Sequence, residues 1–377
     1  MLKVVLFCGY SEKFGNPTYR DWLIRYLSDN KNIDLDVIAF GREKKEIERN
    51  NLKIHIVKQP RLFLAPFFLP KVIRTIKHKL EEIHPDILHA YGSFIPYSTL
   101  VTFFRNYPSI LTVIGIWQIE KKYKSKSFRN LLNTINERYV ISRIPNIIVE
   151  SSHNKDLLSK MTQSKIYVVP DGIEFNKIQS FEPDPVGKPD ILFVGRISQE
   201  KGVDILIKAM PIILGCLNSV DLYIIGSGPQ EEELKELVRK LDLEHCIHFL
   251  GFVSEEEKFQ YYKSSKIVVI PSRWDFSPIT IYEAMACGKP VIASDNTNSE
   301  ILSNGKNGLL FRSNDVDDLA SKLISLLKDD QLRQSMGKEA LQEAGECDWS
   351  KIVERIVGVY KEVIADFQNK KWEKIRR

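Results

Sequence analysis

The sequence predicts an α/β protein made of two parallel-sheet domains, and three observations predict it. Apolar runs of strand length alternate with helix-period stretches from end to end, the pattern of parallel α/β layers. A segment with three prolines and a glycine, Phe181–Asp190, interrupts this rhythm, which then restarts with Ile191-Leu-Phe-Val194. Both halves open on an apolar strand ending at a glycine, Gly9 in the first and Gly195 in the second. A chain of 377 residues is also long for a single core, so two domains are the default.

In the first half, strands are expected at Lys3–Cys8, Leu35–Phe40, Lys53–Val57, Asp86–Ala90, Ser109–Ile114, Asn146–Glu150 and Ile166–Val169. Helices are expected near Pro17–Asp29, Lys71–Ile83 and Ser127–Ser142. In the second half, Val203, Leu206, Ile207, Met210 and Leu214 share one helical face, and Pro229 precedes a helix carrying Leu234, Leu237, Val238 and Leu241. Ser254 and Glu257 have the spacing of a capping box. Trp349, Ile352, Val353, Ile356, Tyr360 and Val363 form a long apolar stripe, followed by a basic tail.

Composition excludes several classes. It is 43% hydrophobic and 27% charged, with no low-complexity tract. Five scattered cysteines without a C-x-x-C pair read as reduced thiols of a cytoplasmic protein, not a disulfide framework or zinc site. Met1–Cys8 enters a strand at once and lacks the flanks of a signal peptide. No run approaches the ~20 apolar residues of a spanning helix. Residues 1–180 hold 28 Lys+Arg against 17 Asp+Glu, whereas the remainder holds 26 against 32. The basic first half favours an anionic partner. Its aromatics are not interleaved with the basic residues as a nucleic-acid stacking platform requires, so no nucleic acid is expected.

The chemistry concentrates in two segments. Gly195-Arg-Ile-Ser-Gln-Glu-Lys-Gly202 follows a strand and delivers Arg196 and Lys201 before a helix. Cations at the carboxyl end of a parallel strand point to the ligand crevice of an open α/β sheet, where Arg can grip a phosphate bidentately and Lys adds a point charge. Capping of nearby surface carboxylates is the plainer alternative. The segment Pro271–Ser294 places Asp275 before a helix and Glu283 inside it, with Gly288 and Pro290 closing the helix. Two such acids can hold two hydroxyl-bearing parts of one ligand, and the helix N-terminus between them suits phosphates. That is the chemistry of a nucleotide-sugar. Gly226-Ser-Gly-Pro229 lacks the G-x-G-x-x-G fingerprint and reads as a tight turn lining the crevice, while Gly251 would let backbone approach a flat base.

Phe193–Gly202, Ile225–Pro229, Phe249-Leu-Gly251 and Asp275–Gly288 occur here in that order. Together with Asn298–Ile301 and Asn307–Leu310 they resemble the retaining glycosyltransferases of family 4, which have the GT-B fold. The resemblance is strongest over residues 190–312, and Pro85–His89 and Val169–Ile173 extend it into the first half. It implies two Rossmann-like domains facing a central cleft: an acceptor domain at 1–180, a donor domain at 181–348, and a C-terminal helix at 349–377 that can return to the first domain. It also implies roles. Arg196 and Lys201 neutralise the donor diphosphate, Glu283 binds the ribose, and Asp275 contacts hydroxyls of the transferred sugar. Backbone N–H groups of Ile279 and Thr280 face the phosphates or sugar, Gly15 is a backbone donor beside the diphosphate, and Gly251 and Phe252 lie against the base.

The chain departs from the family pattern at several positions. The first acid is Asp275, one methylene shorter than the usual Glu; Pro278 replaces a common Gly; Gly9 and Gly15 only partly replace a glycine pair; and Ile114 occupies a position often held by His. His89 and His153 are the nearest histidines by segment, each with a structural reading beside a substrate-contacting one.

By this resemblance the reaction is retaining sugar transfer from a nucleotide-diphosphate sugar, without metal or other cofactor, to a glycan, lipid-linked or other hydroxyl acceptor. A catalytically weak nucleotide-sugar-binding or assembly protein, and an epimerase or phosphorylase of the same fold, are the alternatives. Arg61–Lys71 and Lys121–Lys126 carry two readings: peripheral docking on an anionic membrane, or core with solvated lysines.

Overall fold

The computed structural model describes residues 1–9, 19–49, 51–58, 69–92, 97–115, 128–183 and 187–376. The chain divides into two compact units, Met1–Val169 with Trp349–Arg377, and Pro170–Asp348.

Among the described residues, the first unit holds eight strands: β1 (Leu2–Phe7), β2 (Ile33–Gly41), β3 (Lys45–Arg49), β4 (Leu52–Lys58), β5 (Ile87–Tyr91), β6 (Ser109–Thr112), β7 (Asn146–Val149) and β8 (Lys165–Val168). They form one sheet in the order β3-β4-β2-β1-β5-β6-β7-β8. Every pairing is parallel except β3–β4. Parallel strands are covered on both faces and are therefore apolar almost throughout, as Val4–Phe7 and Ile87–Leu88 are here. Strand β3 departs from the sequence expectation, which had no strand there. Its Lys-Glu-Ile-Glu-Arg composition suits a sheet edge, where charge discourages further pairing.

The apolar stripe of the helix Trp349–Arg376 completes the core of this unit. Trp349 packs its ring 4.7 Å from Tyr19 and 5.7 Å from Tyr26 of the helix Tyr19–Asp29. Tyr360 and Val363 continue the contact at the 3.6-residue period.

The second unit holds, among the described residues, six parallel strands: β9 (Ile191–Val194), β10 (Leu222–Ile225), β11 (Ile247–Gly251), β12 (Ile267–Ile270), β13 (Val291–Ser294) and β14 (Gly308–Phe311). Their order is β11-β10-β9-β12-β13-β14. Numbered within the unit this is 3-2-1-4-5-6, the Rossmann order, whose topological switch point lies between β9 and β12. Segment 170–180 lies with this unit, ahead of the Pro-rich stretch, because Ile173 and Ile178 bury in its core and Ile173 N–H bonds Cys347 O at 2.9 Å. No helix among the described residues is long and apolar enough to cross a membrane.

Candidate active site

The loops after β9 and β12 flank the switch point, and they are the two segments singled out in the sequence. Backbone packing forces them together. Gly202 has φ 66°, and a Cβ there would lie 2.1 Å from Pro271 O, so only glycine fits. Arg273 then braces one loop on the other. Its guanidinium forks onto Asp204 at 2.8 and 2.9 Å and reaches Gln199 O at 2.7 Å, while its backbone N–H donates to Glu200 O at 2.8 Å. The neighbouring turn closes in a similar way: a Cβ on Gly226 would meet Gly195 O at 2.0 Å.

This frame brings Lys201 and Asp275 into direct contact, Nζ donating to Oδ2. Asp275 is fixed along its backbone, accepting from Asn298 N–H at 3.0 Å and donating its own N–H to Asn296 O at 3.2 Å. Arg196, on the same loop as Lys201, is exposed and forms no ion pair with the described residues. Ile279 and Thr280 open the helix Ile279–Ala286, whose N-cap, Pro278, offers no side-chain cap. First-turn N–H groups have no intrahelical acceptor, and no N-cap side chain takes them up here.

Glu283, in the same helix, is only 13% exposed. Lys258 Nζ sits 2.7 Å from its Oε1, and the Tyr262 hydroxyl donates to Oε2 at 3.2 Å. Burial first, and then the Glu283 charge, push the Tyr262 phenol above its ordinary range, so it stays a donor. At the end of β11, Gly251 has φ 66° and its carbonyl accepts from Gly226 N–H at 2.8 Å. Phe252 stands out at 83% exposure. A large apolar ring this exposed, at the carboxyl edge of a parallel sheet, offers a flat face to solvent.

Sequence reasoning missed three residues here. Arg273 and Lys258 act only through tertiary contacts. Asp171 is a buried acid in the turn after β8. Burial, and then the neighbouring Asp275 charge, raise its carboxyl to about 6, against the opposing effect of a Ser277 hydrogen bond. An acid in a Pro-Asp-Gly turn is an ordinary surface signal, and nothing local marked it as buried.

The two histidine candidates separate. His89 is fully buried, with Nδ1 2.6 Å from the Tyr360 hydroxyl and Nε2 2.7 Å from Thr112 Oγ1. Burial lowers its pKa to about 3, so it is a neutral, doubly bonded core residue. His153 is exposed in the first turn of the helix Ser152–Ser159. Gly15, Leu62–Leu69 and Lys121–Lys126 lie outside the described residues, apart from the backbone of Leu69.

Comparison with known proteins bears on the family and the fold. The profile of "Glycosyl transferases group 1" matches residues 174–343, and that of "Glycosyltransferase Family 4" matches residues 21–177. An uncharacterized glycosyltransferase of Methanocaldococcus jannaschii is 27% identical, the match covering 96% of this chain and 99% of that protein. The phosphatidyl-myo-inositol mannosyltransferase of Mycolicibacterium smegmatis is 28% identical over 78% of this chain and 76% of its own. Among solved structures, Anabaena HepE in complex with UDP superposes with a TM-score of 0.73 at 20% identity, covering 96% of this chain and all of that one (100%). The chain belongs to glycosyltransferase family 4 and has the GT-B fold.

Proposed function

We propose that this protein transfers a sugar from a nucleoside-diphosphate sugar to a hydroxyl acceptor, with retention of anomeric configuration and without a metal ion. The observation that carries this reading is the Lys201–Asp275 contact at the switch point, with the unpaired Arg196 on the same loop. Arg196 and Lys201 neutralise the donor diphosphate, and the first-turn N–H groups of Ile279 and Thr280 add donors to it. Asp275 accepts from hydroxyls of the transferred sugar, and Glu283 accepts from the ribose. Phe252 and the Gly251 backbone lie against the base.

Bond cleavage at the anomeric carbon leaves an oxocarbenium-like centre and adds negative charge to the departing diphosphate. The acceptor hydroxyl attacks from the same face and gives its proton to that diphosphate, so no separate base is needed. The protein's part is electrostatic: cations and N–H groups fixed before the charge develops.

The acceptor is proposed to be a glycan or lipid-linked hydroxyl, met in the cytoplasm or at the surface of an anionic membrane. The excess of positive charge in residues 1–180 and the mannosyltransferase relative support this. Mutual neutralisation of Lys201 and Asp275 also suits a protein that binds nucleotide-sugar without turnover. Acceptor-dependent release of nucleoside diphosphate separates the two. The transferase reading expects release that Arg196→Ala suppresses, with Glu283→Ala weakening nucleotide binding. Nucleotide binding without any release across a panel of glycan and lipid acceptors favours the binding protein, and unchanged behaviour in both variants refutes the site.

A further inference from the structure

Glu283 is held from two sides by one neighbouring helix, and only one of the two partners is itself charged. Lys258 and Tyr262 lie one turn apart on the helix Glu255–Ser264 and take one carboxylate oxygen each. The helix is set firmly at its start, where Ser254 and Glu257 close a capping box. It begins three residues beyond Phe252, so the exposed ring lies just ahead of the element that restrains the acid. The Lys258 ammonium also lies 4.6 Å from the Phe259 ring centroid, a second attraction that favours this side-chain position.

An ionised carboxylate has two oxygens and about four lone-pair sites. With Lys258 on Oε1 and Tyr262 on Oε2, one acceptor direction on each oxygen remains. Two adjacent hydroxyl donors, as on a ribose, match that pair of directions. Without the two restraints, the carboxylate could rotate about its last bond and would have to be ordered at the moment of binding.

We propose that Lys258 is a positioning residue of the donor site, fixing the Glu283 carboxylate so that both oxygens meet the 2′- and 3′-hydroxyls of the nucleotide ribose. This rests on the donor-site reading above. Lys258 acts through Glu283 and does not itself meet the reacting atoms. Its effect therefore falls on nucleotide affinity and on KM for the donor, with kcat little changed.

The test is calorimetric titration of the full chain with UDP, GDP and ADP, then of the tightest of these against its 2′-deoxy and 3′-deoxy forms. Lys258→Met is expected to weaken the ribonucleotide ~10-fold, the scale of one charge-assisted hydrogen bond. Each deoxy form, already weakened in the wild type, should lose less than ~2-fold further, because side chain and hydroxyl act on one contact. Lys258→Arg should restore most of the affinity, and Tyr262→Phe should show the same selectivity at smaller size. If Lys258→Met does not fold, these two variants carry the test. Equal losses for ribo and deoxy forms, or wild-type affinity in Lys258→Met while Glu283→Gln is weakened, overturn the proposal alone. Absence of binding by all three nucleotides, or an unaffected Glu283→Gln, removes the donor-site reading and this proposal with it.

Discussion

Lys201–Asp275 and Lys258–Glu283 are both lysine–carboxylate pairs of the second unit, each with a hydroxyl donor as well, yet the charge near each acid differs. Behind Glu283 is a donor, the Tyr262 hydroxyl. Near Asp275 is another acid, the buried Asp171, whose own ionisation the Asp275 charge opposes. The Glu283 pair is satisfied and suits a ligand group recognised the same way before and after reaction. The Asp275 pair has a second acid beside it, and that suits its proposed place where an incoming diphosphate rearranges the charges. On the proposed function, fixed recognition and charge management thus fall to separate acid–cation pairs, eight residues apart in sequence at the acids.

The sharpest way to break this contrast is kinetic. Lys201→Met should lower kcat by ~10²–10³, about 2.7–4 kcal/mol of transition-state stabilisation, the usual loss when one such contact is removed. Glu283→Gln should instead raise KM and the nucleotide Kd. Steady-state kinetics that show the reverse assignment would sink the division.

A second prediction concerns pH. The folded protein holds the Asp171 carboxyl at about 6, above its ordinary 3.8, so between those values the native state keeps a proton that the unfolded chain has lost. Stability therefore falls as pH rises from about 4 to about 6, and the penalty persists above that. Asp171→Asn keeps an acceptor for Ser277 and removes the charge. It should be more stable than wild type by about 1–3 kcal/mol at pH 8, with the difference closing near pH 4. Urea unfolding at the two pH values measures it, and an Asn variant less stable at pH 8 would show that the carboxylate is needed in charged form.

Smaller effects sharpen the contrast further. Asp275→Glu lengthens the acid by one methylene, and should change the donor KM by about 3- to 10-fold while leaving nucleoside diphosphate affinity alone, since only the transferred sugar reports on it. An equal change in both would place Asp275 on the nucleotide. Smallest of all, saturating EDTA should leave turnover unaltered, because the proposed charge neutralisation comes from Arg196 and Lys201; a loss restored by Mg²⁺ or Mn²⁺ would require a metal.

Much of this was legible in the sequence because it is local. Apolar runs such as Ile191–Val194 and Ile267–Ile270 are strands that periodicity alone identifies, and strand ends in an open α/β sheet point to the ligand edge. Arg196, Lys201 and Asp275 stand in the loops that follow such ends, and Glu283 in the helix after one of them. What escaped is tertiary. Lys45–Arg49 has too little apolar character to read as a strand and pairs only because β4 offers an open edge. Arg273 and Lys258 look like solvated charges until Asp204 and Glu283 are found beside them. His89 invited a functional reading because an imidazole in an apolar strand is conspicuous. The Tyr360 hydroxyl that satisfies it comes from 271 residues away.

Two glycines with the same backbone angle set the limits for redesign. Gly202 and Gly251 both have φ 66°, but a side chain at Gly202 would strike Pro271 O, whereas nothing lies within 4 Å of one at Gly251. The first position is closed to every other residue. The second admits asparagine, which tolerates the left-handed region at modest cost. A library aimed at a different nucleotide base can therefore start at the 251–253 tip and leave the 195–202 loop untouched, keeping the cations in place while the proposed base contact is rewritten.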